Sequence, residues 1–129
     1  MEQFAGEYHE LCTVIEIGEN VKGRKLLVAK ISDNVETDEN EPEFFNTGTI
    51  HGDETAGYIL LLRMTEYLLD NYGKDDRVTR IVDSIEMFIS PLCNPDGTFQ
   101  NDNSTVQGAR RTNASGVDLN RNYRHTGDY

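Results

Sequence analysis

Two hydrophobic periodicities alternate along this chain, and the switches between them mark out its elements. Leu11 to Ile17 (LCTVIEI) and Arg24 to Ile31 (RKLLVAKI) are rich in aliphatic and β-branched residues and flank a polar turn containing Gly18 and Gly23. That arrangement predicts a β-hairpin, with FAGEYHEL before it as a short helix. Phe44 to Thr49 is again strand-like and delivers the chain to His51. From Glu54 to about Tyr72 the spacing becomes helical. Ala56, Ile59, Leu60, Met64, Tyr67 and Leu68 follow i, i+3, i+4 steps, and Leu61, Leu62 and Leu69 widen the stripe. The pattern predicts a helix largely buried against a sheet, with Gly73 as its stop signal. A shorter helix around Val78 to Val82 and an interior strand from Ile85 to Ile89 follow.

This order of strand, helix and strand implies an α/β fold, a mixed sheet flanked by helices, in which sites gather at the carboxyl ends of strands. With 129 residues the chain has room for one domain with a real core. There is no internal repeat and no low-complexity tract. After Ser90 the character changes. NPDG (Asn94 to Gly97) is a turn by composition, and Gln100 to Asn122 is a long polar segment poor in aliphatic residues. A loop of that length in a compact domain is usually functional or disordered. Arg110, Arg111 and Arg121 favour function, because cations are otherwise scarce here.

Charge narrows the partners. Twelve Lys and Arg against 23 Asp and Glu give a net charge of -11, which argues against nucleic acid, whose binding rests on many cationic contacts. The longest apolar run, Tyr58 to Leu62, is far shorter than the ~20 residues of a membrane-spanning helix, so no membrane span is expected. MEQFAGEYHE lacks the layout of a signal peptide. Glu36, Asp38, Glu39, Glu41 and Glu43 crowd one segment; a calcium site is one reading, and a solvated acidic loop is the expected one. Cys12 and Cys93 form no CxxC pair and read as small packed hydrophobes.

The candidate chemistry lies at the strand-to-helix junction and in the polar segment. His51 and Glu54, spaced His-x-x-Glu, place an imidazole and a carboxylate on one side of a turn, and both are ordinary zinc ligands. The competing reading is a helix cap by Asp53 or Glu54. Gly52 allows a tight turn on either reading. In GVDLNRN (Gly116 to Asn122), Asn120 and Arg121 offer an amide beside a guanidinium, a combination suited to gripping a carboxylate, with Arg111 nine positions earlier.

HGDE, NPDG and RTNASGVDLNRN occur in that order, preceded by IGENVKGRKLLVAKISDN. Together they resemble the zinc carboxypeptidases of the M14 family, the last segment particularly the carboxypeptidase N/E type. The likeness runs from about Phe4 to Tyr123. It implies one zinc ion with His51 and Glu54 as its first two ligands, Asn120 and Arg121 gripping the substrate's terminal α-carboxylate, and Arg111 polarising the scissile carbonyl. Arg110 competes for that last role, and the spacing to Asn120 favours Arg111.

The same resemblance places a second zinc-binding histidine, a general-base glutamate and a substrate-contacting tyrosine farther downstream. His9 and His125 match none of these positions. Residues 1–129 are therefore expected to be the amino-terminal half of a single catalytic domain, inactive alone and prone to self-associate through an uncovered sheet. The parent would hydrolyse C-terminal residues from peptides. The alternatives are a non-catalytic module that recognises C-terminal carboxylates, and a related peptidase of glutamyl or cell-wall peptides. The resemblance leaves localisation open, with a secreted or periplasmic parent as the option it suggests.

Overall fold

The hairpin forms where the two strand patterns lie, in a computed structural model that describes residues 1–123. Strands β1 (Cys12–Glu19) and β2 (Lys25–Ile31) pair antiparallel, Cys12 opposite Ile31, with a bulge between Glu16 and Gly18. Gly18 adopts φ 144 there, a conformation other residues rarely take. Two further strands, β3 (Glu43–Thr47) and β4 (Glu86–Ser90), complete a four-stranded sheet of order β1-β2-β4-β3. β4 pairs antiparallel with β2 and parallel with β3, so the sheet is mixed and β4 is interior, as its apolar run predicts. β3 ends at Thr47 rather than Thr49, because the backbone turns at Gly48 and Thr49 toward His51.

Helices α1 (Glu2–Glu7), α2 (Thr55–Asn71) and α3 (Asp76–Val82) cover one face of the sheet. Ala29 and Ile31 of β2 stand opposite Ile89 and Met87 of β4, and these four pack with Leu61, Leu68, Leu69, Val78 and Val82 from the helices. Ile31 and Ile89 are fully buried, each contributing about 1.5–3 kcal/mol by removal from water. α2 ends where predicted, with Tyr72 as its C-cap and Gly73 at φ 71 just beyond.

The buried face of α2 differs from the predicted stripe. It runs Leu61, Thr65, Leu68, Leu69, whereas Ile59, Leu60 and Tyr67 are exposed. Thr65 fits because its hydroxyl donates back to Leu61 O at 3.0 Å, so a polar residue occupies the core face at no hydrogen-bonding cost. The helix contacts the sheet along one narrow seam.

The opposite face carries a buried ion pair, Lys30 Nζ and Glu86 Oε1 at 2.7 Å, oriented for charge rather than for an aligned hydrogen bond. Beside it the acidic segment folds over the sheet edge. Asp33, Glu39 and Glu41 bring carboxylate oxygens within 4.8 Å of one another, as do Asp38, Glu43 and Glu86. Burial first, then the neighbouring charges of Glu39, Asp33 and others, push the Glu41 carboxyl up. Asp33, Glu36, Asp38 and Glu43 are exposed, as a solvated loop requires.

NPDG is more than a surface turn. It forms a short helix, α4 (Pro95–Thr98), whose four residues are all buried, with Asn94 capping it by accepting from Gly97 N–H at 2.9 Å. Among the described residues no helix is long and apolar enough to cross a membrane.

Candidate metal centre and carboxylate clamp

Three segments far apart in sequence converge at the end of β3. The first is the turn from Gly48 to Glu54. Here His51 is 5% exposed, and its Nδ1 lies 3.1 Å from Glu54 Oε1. Glu54 occupies the N-cap position of α2 yet makes no side-chain cap bond, and no cap bond from Asp53 is formed either. The capping reading therefore does not describe these carboxylates. Glu54 turns its side chain away from the helix amides and toward the imidazole.

The second segment is α4, which fastens the histidine turn to the arginine segment. Asn94, 1% exposed, donates through Nδ2 to Ile50 O at 3.3 Å and to Arg111 O at 3.1 Å. Thr98 Oγ1 donates to Gly52 O at 2.9 Å, and Arg110 N–H donates to Gly97 O at 2.9 Å. The backbones meet at two glycines: a Cβ on Gly52 would stand 2.3 Å from Gly97 C, and one on Gly97 would stand 2.6 Å from Arg110 O. Gly52 is thus required by a close approach, a reason its place in a turn does not reveal.

The third segment brings Asp118, which sequence reasoning did not single out. Its Oδ1 lies 3.1 Å from His51 Nε2 and accepts from Asn120 N–H at 3.0 Å, capping the 3-10 turn Leu119–Arg121. Its Oδ2 accepts from Arg111 Nε at 2.8 Å. The Arg111 hydrogen bond, chiefly, holds the Asp118 carboxyl below the usual carboxylate range, assisted by Asn120 N–H. A signal existed: a metal-binding histidine commonly gives its other ring nitrogen to a carboxylate, and GVDLNRN contains one.

These contacts decide the chemistry of His51. Asp118 is an ionised acceptor, so the proton of the imidazole belongs on Nε2. Nδ1 of the neutral ring then presents a lone pair to the carboxylate of Glu54, and two lone-pair groups 3.1 Å apart need a cation or a second proton between them. Two ligands held ~2.0 Å from a tetrahedral zinc stand about 3.3 Å apart. Donor types, separation and a fixed tautomer all fit zinc.

The remaining predicted residues lie nearby. Arg111 is exposed, and its Nη groups make no hydrogen bond among the described residues. Arg110 instead turns back to Asn113 O at 3.0 Å. Asn120 lines an open groove with Thr49, Glu54, Thr55 and Tyr123. Arg121 donates to Asn120 O at 3.0 Å and is exposed. Asp118 thus links His51 directly to Arg111 and, through the Asn120 amide, to the candidate pair Asn120 and Arg121. Cys12 and Cys93 are both free, and His125 lies outside the described residues.

A histidine and a glutamate gathered beyond a strand end of a mixed sheet form a candidate metal centre, and sequence comparison gives the family. The family model described as zinc carboxypeptidase matches residues 1–128, and the chain belongs to that family. Membership implies a zinc cofactor. Carboxypeptidase D of Mus musculus is 40% identical over 127 residues, covering 95% of this chain and 9% of that protein. Carboxypeptidase SOL1 of Arabidopsis thaliana is 37% identical over 123 residues, covering 95% of this chain and 23% of that one. The chain therefore spans less than a quarter of the length of these relatives. Carboxypeptidase A of Helicoverpa armigera superposes with a TM-score of 0.79 at 25% identity, covering 97% of this chain and 32% of that structure.

Proposed function

We propose that residues 1–129 form the amino-terminal half of a zinc metallocarboxypeptidase catalytic domain that removes residues from peptide carboxyl termini. The observation that carries this reading is His51 suspended between Glu54 and Asp118, with Arg111 on the same aspartate.

In this reading His51 Nδ1 and Glu54 hold one zinc ion, and a third protein ligand comes from outside these residues. When bound, zinc polarises the scissile carbonyl and lowers the pKa of a water. Asn120 and Arg121 pair with the terminal α-carboxylate of the substrate, which turns recognition of a chain end into positioning of one peptide bond. Arg111 offers its Nη hydrogens to the oxygen that gains charge as the carbonyl is attacked. Asp118 keeps the proton on His51 Nε2 and fixes the direction of the Arg111 guanidinium.

Exposed Phe44 and Phe45 on edge strand β3 mark where further strands of the domain would pair. We expect the isolated 129-residue chain to be inactive and to self-associate through that edge; a compact monomer in light scattering would count against this.

The test is release of C-terminal amino acids by the full-length protein. Release abolished by a chelator and restored by zinc is the expected result, and chelator-insensitive release would exclude the zinc reading.

A further inference from the structure

Thr49 is the one non-glycine with positive φ among the described residues, at φ 53, and it is 6% exposed. A β-branched side chain rarely adopts that conformation, and such outliers persist only where the surroundings hold them. What holds Thr49 is its hydroxyl. Oγ1 accepts from Tyr58 N–H at 3.0 Å and donates to Glu54 O at 3.1 Å. On the other side, Thr49 O accepts from Asn94 N–H at 3.1 Å.

Tyr58 and Glu54 are four residues apart, the spacing at which an α-helix closes its first turn by a direct N–H to C=O bond. α1 and α3 do so: Ala5 N–H donates to Met1 O at 3.3 Å, and Thr79 N–H donates to Asp75 O at 2.9 Å. In α2 the Thr49 hydroxyl stands between the two groups and relays the bond. Glu54 sits at φ -93 and ψ 62, outside the helical region, as the N-cap residues Asp75 and Asn94 also do. Unlike those two, Glu54 makes no side-chain cap bond and its carboxylate lies toward His51.

We propose that Thr49 is a positioning residue for the metal site: its hydroxyl, bonded to both Glu54 O and Tyr58 N–H, anchors the start of α2 and so fixes the backbone from which the Glu54 carboxylate reaches the cation shared with His51. This rests on the zinc reading above. The left-handed backbone at Thr49 is needed to bring the hydroxyl under the helix start, which explains why a strained residue precedes the histidine by two positions. Without the hydroxyl, Tyr58 N–H and Glu54 O lose the group that ties them to Thr49, and the start of α2 that carries Glu54 is free to shift relative to His51.

The test uses the zinc-loaded full-length protein and three variants. Thr49→Val keeps the shape and removes the hydroxyl; Thr49→Gly removes both hydroxyl and backbone strain; Thr49→Ser keeps the hydroxyl. The readouts are the rate of zinc release to a chromophoric chelator, the visible spectrum after cobalt substitution, and the melting temperature. Thr49→Val and Thr49→Gly should release zinc about tenfold faster and shift the cobalt bands, while Thr49→Ser stays within twofold of the parent. Thr49→Gly should melt close to the parent, and it decides the matter alone if Thr49→Val does not fold. Parental zinc release and cobalt spectra in folded Thr49→Gly would overturn the proposal. Failure of the unsubstituted protein to bind zinc would instead overturn the underlying zinc reading, so the two failures are distinct.

Discussion

His51 Nε2 and Asp118 Oδ1 stand 3.1 Å apart across 67 residues of sequence. The contact makes the imidazole directional, because the carboxylate claims one ring nitrogen and leaves the other for Glu54. Removing the carboxylate in Asp118→Ala should weaken zinc binding by the full-length protein by about 10–100-fold, with Asp118→Asn intermediate. A chelator-competition titration measures this, and an unchanged affinity would remove Asp118 from the site.

The backbone approach at Gly52 sets a second expectation. A methyl group there would overlap the Gly97 backbone, which cannot give way as a flexible side chain would. Gly52→Ala should destabilise the domain by about 3 kcal/mol in denaturant unfolding. A neutral effect would mean that the two turns are not in contact in solution.

The hairpin turn is tied to α4 by Arg24 Nη1 on the fully buried Asp96 carboxylate at 2.7 Å. Lys22 N–H also donates to Asp96 at 3.3 Å, and Arg24 Nη2 donates to Phe99 O at 2.7 Å. Arg24→Ala would leave the buried carboxylate without its cation and should cost about 3 kcal/mol, partly recovered by adding Asp96→Asn. Unfolding curves of the single and double variants check both statements.

At the start of α3, Asp75 accepts from Arg77 N–H at 2.8 Å. That backbone bond first, and the Arg77 side chain second, hold its carboxyl below the ordinary range. A depressed folded-state pKa means a stabilising contribution that is complete above the ordinary carboxylate pKa and fades as pH falls through the depressed value. NMR titration should place the Asp75 midpoint below that of an unstructured aspartate, and Asp75→Asn should flatten this part of the acid dependence.

The two thiols should behave differently. Cys12 is 1% exposed, and burial pushes its pKa up to about 11, so little thiolate is available to react. Iodoacetamide at mildly alkaline pH should label the partly accessible Cys93 and spare Cys12, as peptide mapping would reveal. Equal labelling rates would show that the β1 end of the core opens readily.

Element order was legible from periodicity because β2, β4 and α2 bury runs of apolar side chains and β1 shares the β-rich composition of its hairpin partner. The buried face of α2 was legible only in part: Leu61, Leu68 and Leu69 lie in the predicted stripe and are buried, whereas Thr65 does not belong to it. Ile59, Leu60 and Tyr67 are apolar and helically spaced, yet which stripe meets the sheet depends on the crossing geometry, and Thr65 satisfies its own hydroxyl in the core. His51, Glu54, Arg111, Asn120 and Arg121 stand out as candidates because each lies in a local motif. Asp118, Asn94 and Thr49 do not, because each acts through a partner brought close only by folding. Asn94 looked like a turn residue, and its bonds to Ile50 O and Arg111 O exist only once three loops meet.

On the zinc reading, one cation sits between His51 Nδ1 and Glu54 while Asp118 holds Nε2. Anomalous diffraction at the zinc edge from crystals of the zinc-loaded full-length protein tests it most directly. The expected map carries a peak bonded to His51 Nδ1 and the Glu54 carboxylate. A peak on the Nε2 side, or only among the acidic residues from Asp33 to Glu43, would contradict it.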